Sequence, residues 1–515
     1  MNGAEAFIGT MWNCGVEVCF ANPGTSEMQL VAAIDKQDGM RAILGLFEGV
    51  VTGAADGYGR MADKPAMTLL HLAPGLGNGL ANLHNARRAG TPMINMVGDH
   101  ATYHVHFDAP LTSDAEAVAR PMSDWVRVSK SERDLAHAGV EAYNVARTYP
   151  GKIATVIVPA DHAWTEGSAA IEAPLLPVAQ VSPQEIIDAA AEALRAETGS
   201  KCLFLGGRAL REETLILAGR VAAATGARLI CETFPARMQR GAGRVAVEKL
   251  PYFGEQAEAF LKEFGTVVTC GTEPPVSFFA YPDKPSWLLP DGAKLIRLAS
   301  LREDAHMALA GLADALDAPT ENISTQERKI FPVEDGALTP ASIGAVLSEL
   351  IPENAIVSDE SATAGMYIYG LTEGCEPHDW LTLTGGAIGQ GMPLALGAAV
   401  ACPDRKVIAL QADGSGMYTN QALWTMAREE LDVTTVILNN GSYAILNIEL
   451  ARVGVENPGP KALSMLDLKR PEINWSQISE GQGVPAVRVS TTEEFRKELA
   501  KALATKGPRL IEALI

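Results

Sequence analysis

Asp413 and Asn440 are the residues whose types and spacing most directly suggest chemistry. Asp413 follows the apolar run that begins after Lys406, and Asn440 follows a second run about 27 residues later. If these runs are neighbouring parallel strands, both side-chain oxygens reach the carboxyl edge of the sheet, where open α/β sheets bind ligands. Such oxygens suit Mg²⁺, which keeps coordination positions for phosphates. Gly414 and Gly416 would let backbone N–H groups approach those phosphates. Asp-Gly-Ser-Gly alone also suits a capped turn, but the spacing to Asn440 favours the metal site.

Glu48 is a second candidate, because it ends a predicted strand and opens a helix from Gly49 to Met61. A carboxylate at a helix N-terminus is stabilised by about 0.3–1 kcal/mol through the helix dipole, and this structural role is the alternative to a catalytic one. Gly49, Gly53 and Gly57 recur on one face of the helix. This pattern predicts the close approach of another helix, which we expect across a subunit interface.

The elements that must position these residues follow a regular alternation. Aliphatic and β-branched runs alternate with helix-length segments, which predicts an α/β fold with parallel sheets covered on both faces. Polar, proline-bearing or acidic stretches at 172–183 and 317–338 interrupt the alternation. A length of 515 residues supports about three domains. We therefore predict three doubly wound parallel-sheet domains, near 1–170, 182–317 and 338–515.

Composition disfavours several classes of protein. The formal net charge of −20 leaves no basic excess for nucleic acid or an anionic membrane surface. Seven scattered cysteines without a C-x-x-C pair predict neither disulfides nor zinc, and they favour a reducing, cytoplasmic location. The N-terminus lacks the pattern of a signal or transit peptide. Thr382 to Pro403 is uncharged over a membrane-spanning length, but its glycines, Gln390 and Pro393 favour a buried loop and helix.

The Asp413–Asn440 spacing resembles the diphosphate and Mg²⁺ motif of thiamine diphosphate enzymes. Glu48, followed by a glycine-rich helix and Gly57-Tyr-Gly-Arg60, resembles the pyrimidine-binding signature of the same family. The order of a pyrimidine-binding, a central and a diphosphate-binding domain is similar to that of the 2-oxo acid decarboxylases and acetolactate synthases. Within this branch, the loop from Asn22 to Glu27 and the lone His71 most resemble benzoylformate decarboxylase.

This resemblance implies two cofactors, thiamine diphosphate and Mg²⁺. The implied metal ligands are Asp413, Asn440 and the backbone carbonyl of Ser442. Glu48 would contact the aminopyrimidine ring, Ile388 would wedge the cofactor into a bent shape, and the Gly386 carbonyl would accept from its amine. The other implied cofactor-binding residues are Ser361, Thr363, Gly414, Ser415, Tyr418 and Tyr443. The further catalytic candidates are Thr25, His71, His104 and His106, the last two in a loop that could equally be simple surface.

The implied function is decarboxylation of a 2-oxo acid, which leaves room for carboligase activity as well, by a homo-oligomer with a dimer of dimers expected. An acetolactate synthase type of carboligase, which would bind FAD in the central domain, is the alternative. The run to Gly206-Gly207 there lacks a dinucleotide fingerprint. A nucleotide-binding regulatory relative is a third possibility, which the intact Glu48 and Asp413 disfavour. Thr382 and Glu449 fall where an aromatic pocket lining is expected, so we predict a smaller or polar substrate, unless both side chains face solvent.

Overall fold

The computed structural model describes residues 1–196 and 199–515, and it distributes the strands among three separate sheets. Helices cover both faces of each sheet, and strand pairing is parallel except at one edge. The predicted α/β class with three parallel-sheet units is therefore confirmed. We call the parts of the chain that build these sheets the first, central and third units.

The first unit has a six-stranded parallel sheet with the order β2-β1-β3-β4-β6-β5. The inner strands β3, β4 and β6 are almost wholly buried, which explains why they read as continuous apolar runs. The strands are β1 (Val18–Asn22), β2 (Arg41–Leu44), β3 (Ala66–Leu70), β4 (Met93–Asp99), β5 (Trp125–Val128) and β6 (Ile153–Pro159). The helices are α1 (Gly3–Asn13), α2 (Met28–Lys36), α3 (Glu48–Ala62), α4 (Leu72–Ala89), α5 (Ala115–Ala119), α6 (Glu132–Ala146) and α7 (Ala160–Trp164).

The central unit has a five-stranded parallel sheet with the order β10-β8-β7-β11-β12. The strands in this part of the chain are β7 (Ser200–Leu205), β8 (Arg228–Cys231), β9 (Met238–Arg240), β10 (Glu248–Lys249), β11 (Phe264–Cys270) and β12 (Lys294–Ala299). The helices are α8 (Gln184–Arg195), α9 (Glu212–Thr225), α10 (Gly254–Leu261) and α11 (Ala305–Ala315). The strand order reverses between β7 and β11, which is where doubly wound sheets open a ligand crevice.

The third unit has a seven-stranded sheet with the order β17-β18-β16-β15-β13-β14-β9. Its strands are β13 (Ile356–Glu360), β14 (His378–Thr382), β15 (Val407–Ala412), β16 (Val433–Asn439), β17 (Ala486–Val489) and β18 (Arg509–Leu514). Its helices are α12 (Pro340–Leu350), α13 (Gly365–Leu371), α14 (Gly391–Ala401), α15 (Asp413–Gly416), α16 (Ala422–Arg428), α17 (Ala444–Arg452), α18 (Pro460–Ser464), α19 (Trp475–Gly481) and α20 (Thr492–Leu503). β9 comes from the central part of the chain and pairs antiparallel with β14.

The glycine-rich helix α3 packs closely against α14 of the same chain. A Cβ added at Gly57 would lie 2.0 Å from the Leu394 carbonyl oxygen, and one at Gly53 would lie 2.6 Å from Pro393 Cβ. A Cβ on Gly397, from the opposite side, would lie 1.8 Å from the Ala54 carbonyl oxygen. The close helix contact was predicted correctly, but its placement across a subunit interface was wrong for α14. This contact joins the first and third units through one apolar core.

The uncharged stretch from Thr382 to Pro403 begins with the last residue of β14 and continues as the predicted loop and helix, which is α14. α14 has eleven residues and is buried on nearly every side, so its uniform apolarity reflects burial inside the protein. Within residues 1–196 and 199–515, no helix combines the length and the apolar character needed to cross a membrane.

Candidate active site

The metal-ligand candidates of the third unit meet at one edge of its sheet. β13, β15 and β16 are neighbours, so the residues after their carboxyl ends lie side by side. Asp413 is only 2% exposed, and its Oδ2 accepts a hydrogen bond of 2.8 Å from the Gly441 N–H. Asn440 Oδ1 accepts one of 2.9 Å from the Ser442 N–H. The loop after β16 is thus folded back onto the Asp413 carboxylate.

These groups form a donor set that suits Mg²⁺. Burial raises the pKa of Asp413 above its ordinary value, although backbone N–H groups of Gly414 and Gly441 act in the opposite direction. A bound cation would offset the cost of holding this carboxylate ionised away from water. Among the described residues, no group of three or more His, Cys, Asp and Glu side chains could hold a metal ion. Hard oxygens from a carboxylate, an amide and the peptide backbone, completed by phosphate, are the usual surroundings of Mg²⁺.

Two glycines in this turn are required by packing as well as by any phosphate. A Cβ at Gly414 would lie 2.5 Å from the Tyr443 ring, and one at Gly416 would lie 2.8 Å from the Trp475 ring. Ser415 Oγ accepts a hydrogen bond of 2.6 Å from the Gln411 amide. The Asp-Gly-Ser-Gly turn is therefore the short helix α15, held between neighbouring side chains with its first N–H groups at the sheet edge.

Ser361 and Thr363 follow β13 on the neighbouring position of the same edge. The Ser361 N–H donates to Asp359 Oδ1 at 3.0 Å, and its hydroxyl contacts the same oxygen. Thr363 is partly exposed on a short 3-10 turn that packs against α17. Both residues thus lie on the same side of the sheet as Asp413.

The loop before α14 carries Gly386 and Ile388, the two residues expected to shape the cofactor. Gly386 has a positive φ of 72°, and Ile388 is partly exposed. Buried Glu360, which ends β13, accepts hydrogen bonds from the Gly389 N–H at 2.6 Å and the Gly391 N–H at 2.5 Å. Burial raises the pKa of Glu360. Sequence reasoning missed this carboxylate, which anchors one end of the loop to the sheet.

Two tyrosines lie near this edge, one in the turn after α15 and one at the start of α17. Tyr418 is half-exposed, and a Cβ at Gly389 would lie 2.6 Å from its Cβ. The Thr419 hydroxyl donates to the Gly389 carbonyl at 2.8 Å. Burial raises the pKa of Tyr443, with a contribution from neighbouring Tyr418. The turn after Asp413 and the loop carrying Ile388 are thereby in direct contact.

Glu48 lies at the start of α3 and is 7% exposed. Its Oε2 accepts a hydrogen bond of 2.9 Å from the Asn78 amide on α4. A Cβ at Gly75 would come within 2.8 Å of the other oxygen, Oε1, so glycine leaves that oxygen uncrowded. The carboxylate is therefore held by one oxygen in a fixed orientation, which is more than a helix-dipole role requires.

His71 pairs with a carboxylate that sequence reasoning did not single out. Its Nδ1 lies 2.8 Å from Oε2 of Glu27, which is fully buried and also accepts from the Gly24 N–H at 2.8 Å. A Cβ at Gly24 would lie 2.0 Å from the His71 ring, so the loop and the imidazole are packed against each other. The local signal for Glu27 was a capping box, in which an acidic residue at the third helical position binds back to the cap N–H.

Three other catalytic candidates have different positions. Thr25 is exposed on the loop that carries Glu27. His104 and His106 are exposed on and beside a 3-10 turn after β4, where both rings contact Phe107. Within the described residues, no hydrogen bond links either ring to Glu27, Glu48 or His71. Their catalytic role stays a prediction.

The two side chains expected to give a polar substrate pocket are occupied by protein contacts. Thr382 is 3% exposed, and its hydroxyl donates to the Pro235 carbonyl at 2.8 Å. Glu449 accepts a hydrogen bond from the Tyr281 hydroxyl and lies 3.5 Å from Arg452 Nε. The Thr382 hydroxyl therefore needs no ligand, whereas Glu449 Oε1 is buried without a hydrogen-bond partner among the described residues. The smaller or polar substrate stays a prediction.

A cavity of about 1110 Å³ lies where the central unit meets the first unit and the loop before α14. It opens at the β7–β11 reversal, beside Gly207, Glu232 and Thr272. Its wall combines aromatic and basic side chains, among them Phe234, Tyr252, Phe278, Arg87, Arg88, Arg208, Arg211, Arg237 and Arg302. Sequence reasoning found no dinucleotide fingerprint here, yet the strand order produces a crevice.

Comparison with known proteins gives matches over the whole chain. The families "Thiamine pyrophosphate enzyme, N-terminal TPP binding domain" and "Thiamine pyrophosphate enzyme, C-terminal TPP binding domain" match residues 1–119 and 363–513. IlvX of Mycobacterium tuberculosis, provisionally named an acetolactate synthase large subunit, is 52% identical, with 100% of this chain and 99% of that protein covered. Benzoylformate decarboxylase of Pseudomonas aeruginosa is 29% identical, with 97% and 96% covered.

Solved structures agree with these matches. A thiamine diphosphate-dependent 4-hydroxybenzoylformate decarboxylase from Rhodococcus jostii RHA1 superposes with a TM-score of 0.86 at 25% identity, covering 100% of this chain and 99% of that one. The benzoylformate decarboxylase structure from Polynucleobacter necessarius has the same TM-score at 22% identity, which supports the fold alone.

Proposed function

Since the chain belongs to the thiamine diphosphate-dependent enzymes of the decarboxylase and acetolactate synthase type, we propose that it decarboxylates a small 2-oxo acid, with Mg²⁺ as its second cofactor. The observation that carries this proposal is the buried carboxylate of Glu48, held by Asn78 at the start of α3. A protein that only bound a nucleotide would not need a fixed carboxylate there. The sheet edge with Asp413 and Asn440 would supply the other half of the active site.

The chain's own residues would divide the work as follows. Asp413, Asn440 and the Ser442 carbonyl would bind Mg²⁺, and the N-terminal N–H groups of α15 would bind phosphate oxygens. Thiamine diphosphate supplies the electron sink for loss of the carboxylate. Glu48 would hold a proton for the pyrimidine nitrogen on Oε1, since Oε2 is occupied by the Asn78 amide.

His71 would position the substrate carboxylate and transfer protons at its Nε2. Its Nδ1 is paired with Glu27, and a buried carboxylate at this distance fixes both the orientation and the tautomer of an imidazole. Glu27 is thus proposed as a positioning residue, and exposed Thr25 lies on the same loop. This arrangement leaves the outer nitrogen of His71 free for the reacting molecule.

A panel of 2-oxo acids tests the proposed function. Purified protein is incubated with thiamine diphosphate and Mg²⁺, CO₂ release is followed, and the carbonyl product is identified by mass spectrometry. We expect CO₂ release that stops on chelation with EDTA and returns with added Mg²⁺. Glu48→Ala serves as the control for background decarboxylation. CO₂ release by this variant equal to that of the wild type would contradict the proposal.

An acetolactate synthase type of carboligase is the second candidate. Two observations favour it: the 52% identity to IlvX, and the cavity of about 1110 Å³ between the central and first units, which has room for a flavin nucleotide. Glu232, at the end of β8, lies where ribose hydroxyls are bound in sheets of this strand order. Flavin absorbance in the purified protein, together with a two-substrate product from pyruvate, would favour the carboligase over the simple decarboxylase.

A homo-oligomer, with a dimer of dimers expected, is part of the proposal. Large apolar side chains are exposed near Glu48 and near the sheet edge that carries Asp413. They include Leu46 beside Glu48, and Met366, Tyr367 and Tyr418 around the Asp413 edge. Exposed apolar clusters on a protein surface commonly mark interfaces. We also propose a cytoplasmic location, because all seven cysteines are free thiols in the structure.

A further inference from the structure

We propose that Asn85 is a positioning residue that fixes the loop 384–390, which carries Gly386 and Ile388, against the helix that begins at Glu48. This inference rests on the proposed function, because the loop matters only if it shapes the cofactor. Asn85 lies on α4 of the first unit, whereas the loop belongs to the third unit.

The Asn85 amide binds both polar groups of one residue in the loop. Its Nδ2 donates to the Ala387 carbonyl at 2.7 Å, and its Oδ1 accepts from the Ala387 N–H at 3.2 Å. Ala387 directly precedes Ile388. Asn85 is fully buried, and a Cβ at Gly385 would lie 2.6 Å from its Oδ1. The Asn85 amide therefore satisfies both the N–H and the carbonyl of Ala387, as a neighbouring strand would.

Asn82 extends this contact to the start of α3. Its Nδ2 donates to the Gly49 carbonyl at 2.7 Å and lies 3.3 Å from the Gly389 carbonyl. Its Oδ1 accepts from the second proton of Asn85 Nδ2 at 3.0 Å. Gly49 directly follows Glu48, so two adjacent amides connect the peptide beside the catalytic carboxylate with the peptides on both sides of Ile388.

Further contacts fix the beginning of the loop. The Thr384 hydroxyl donates to the Asn85 carbonyl at 2.7 Å and accepts from Arg60 Nη2 at 3.0 Å. His84 Nε2 lies 3.1 Å from the Gly385 carbonyl. A fully satisfied buried network of this kind defines one loop geometry, and a displacement of the order of 1 Å in a reacting group lowers catalysis about 100-fold.

Asn85→Asp tests the proposal with a nearly isosteric change. The variant loses both N–H donors and places a carboxylate oxygen against the oxygens of Ala387 and Asn82. We expect faster deuterium uptake by the amides of 384–390 in the cofactor-free protein. With cofactor and the best 2-oxo acid, we expect kcat to fall by at least about tenfold, while KM and the cofactor Kd change by less than about threefold.

Arg41→Gln is the matched control, because it removes an ion pair of 2.8 Å between Arg41 and Glu429 that also joins the first and third units. Wild-type deuterium uptake and kcat are expected there. The same values in Asn85→Asp, or equal losses in both variants, would overturn the positioning role. An unchanged thermal midpoint with a lowered kcat excludes general destabilisation as the cause.

Thr384→Val provides a second, milder test if Asn85→Asp fails to fold. It removes the hydroxyl that bonds the Asn85 carbonyl, and it should raise uptake by the loop and lower kcat in the same direction. Unchanged uptake would contradict the proposal. Failure of the proposed function is recognised separately, since the wild type would then release no CO₂ from any 2-oxo acid while the exchange difference between variants persisted.

Discussion

The two oxygens of Glu48 have different surroundings, and this asymmetry makes the residue testable. Oε2 accepts from Asn78, whereas Oε1 lies beside Gly75. Glu48→Gln preserves shape but cannot provide the acidic proton. We expect nearly unchanged binding of thiamine diphosphate, with exchange of its thiazolium proton slowed by about 100-fold or more, because a general acid contributes a factor of that order. Exchange is measured by NMR after quenching.

Glu429→Gln provides a control, since it changes a partly exposed glutamate of the surface ion pair with Arg41. It should exchange at the wild-type rate. A wild-type rate in Glu48→Gln would contradict the catalytic role and leave the helix-terminus role as the explanation of this carboxylate.

Glu232 gives a pH-dependent prediction. Burial raises the pKa of this carboxyl from 4.5 to about 7, although the Gly207 N–H and the Thr272 hydroxyl act in the opposite direction. Between about pH 4.5 and pH 7 the folded chain therefore keeps a proton that the unfolded chain has already released. The stability of the folded chain falls as pH rises through this window. Glu232→Gln removes that loss while keeping an acceptor.

The Tm of Glu232→Gln relative to wild type should therefore rise between pH 5 and pH 8. Because the residue borders the cavity and is partly exposed, we expect a gain of about 1–2 kcal/mol, or about 2–5 °C. Glu213→Gln on α9 is the control and should show a constant difference. A constant Tm difference for Glu232→Gln across the same range would show that its burial has no energetic consequence.

At the scale of elements, the contact between α3 and α14 joins the helix that begins at Glu48 to the third unit. The two helices approach so closely that a methyl group at Gly57 would overlap the Leu394 carbonyl. Gly57→Ala should lower stability by at least about 2 kcal/mol, because the backbone of α14 must move. Thermal unfolding followed by circular dichroism measures this loss.

Gly77→Ala is the matched control on α4, since no atom lies within 4 Å of its added Cβ. It should be neutral or stabilise the protein by up to about 1 kcal/mol, because alanine is the better helix former. If both substitutions had the same effect, the close packing of α3 on α14 would not be the reason for glycine at position 57.

Local patterns predicted the elements that lie near each other in the chain. Asp413 and Asn440 come together because one crossover and the strand β16 separate them, and a crossover between parallel neighbours has a single common handedness. The partner of α3 could not be predicted, since glycines indicate a close contact without identifying the other helix. Asn85 was missed for the same reason, because its partner Ala387 lies about 300 residues away.

Side-chain roles inside the site were predicted less completely. Glu48 and His71 were singled out from motifs, whereas Glu27 and Glu360 are recognised only by their hydrogen bonds to His71 and to the Gly389 N–H. Thr382 was placed in a pocket by rough alignment with the resembling enzymes, whereas in the structure its hydroxyl donates to the Pro235 carbonyl. Strand register decides which face a residue occupies, and a sequence does not reveal it when both faces are buried.

At the scale of the whole molecule, the exposed apolar side chains near Glu48 and near the Asp413 edge predict that chains associate. Sedimentation velocity at micromolar concentration should show species of at least two chains. Tyr367→Glu should shift the equilibrium towards the monomer and lower activity in parallel. Leu175→Glu, at a residue 96% exposed in the first linker, should leave both unchanged. An active wild-type monomer would contradict the prediction.

The strand β9 has a consequence for how this chain can be divided or recombined. It leaves the central part of the chain to cover the edge of β14, where Met238 to Arg240 pair with His378 to Trp380. A fragment that begins after the second linker would expose an unpaired β14, which is an edge open to intermolecular pairing and aggregation. Chimeras with relatives should therefore inherit β9 and β14 from the same parent, even when the crossover point lies in a linker.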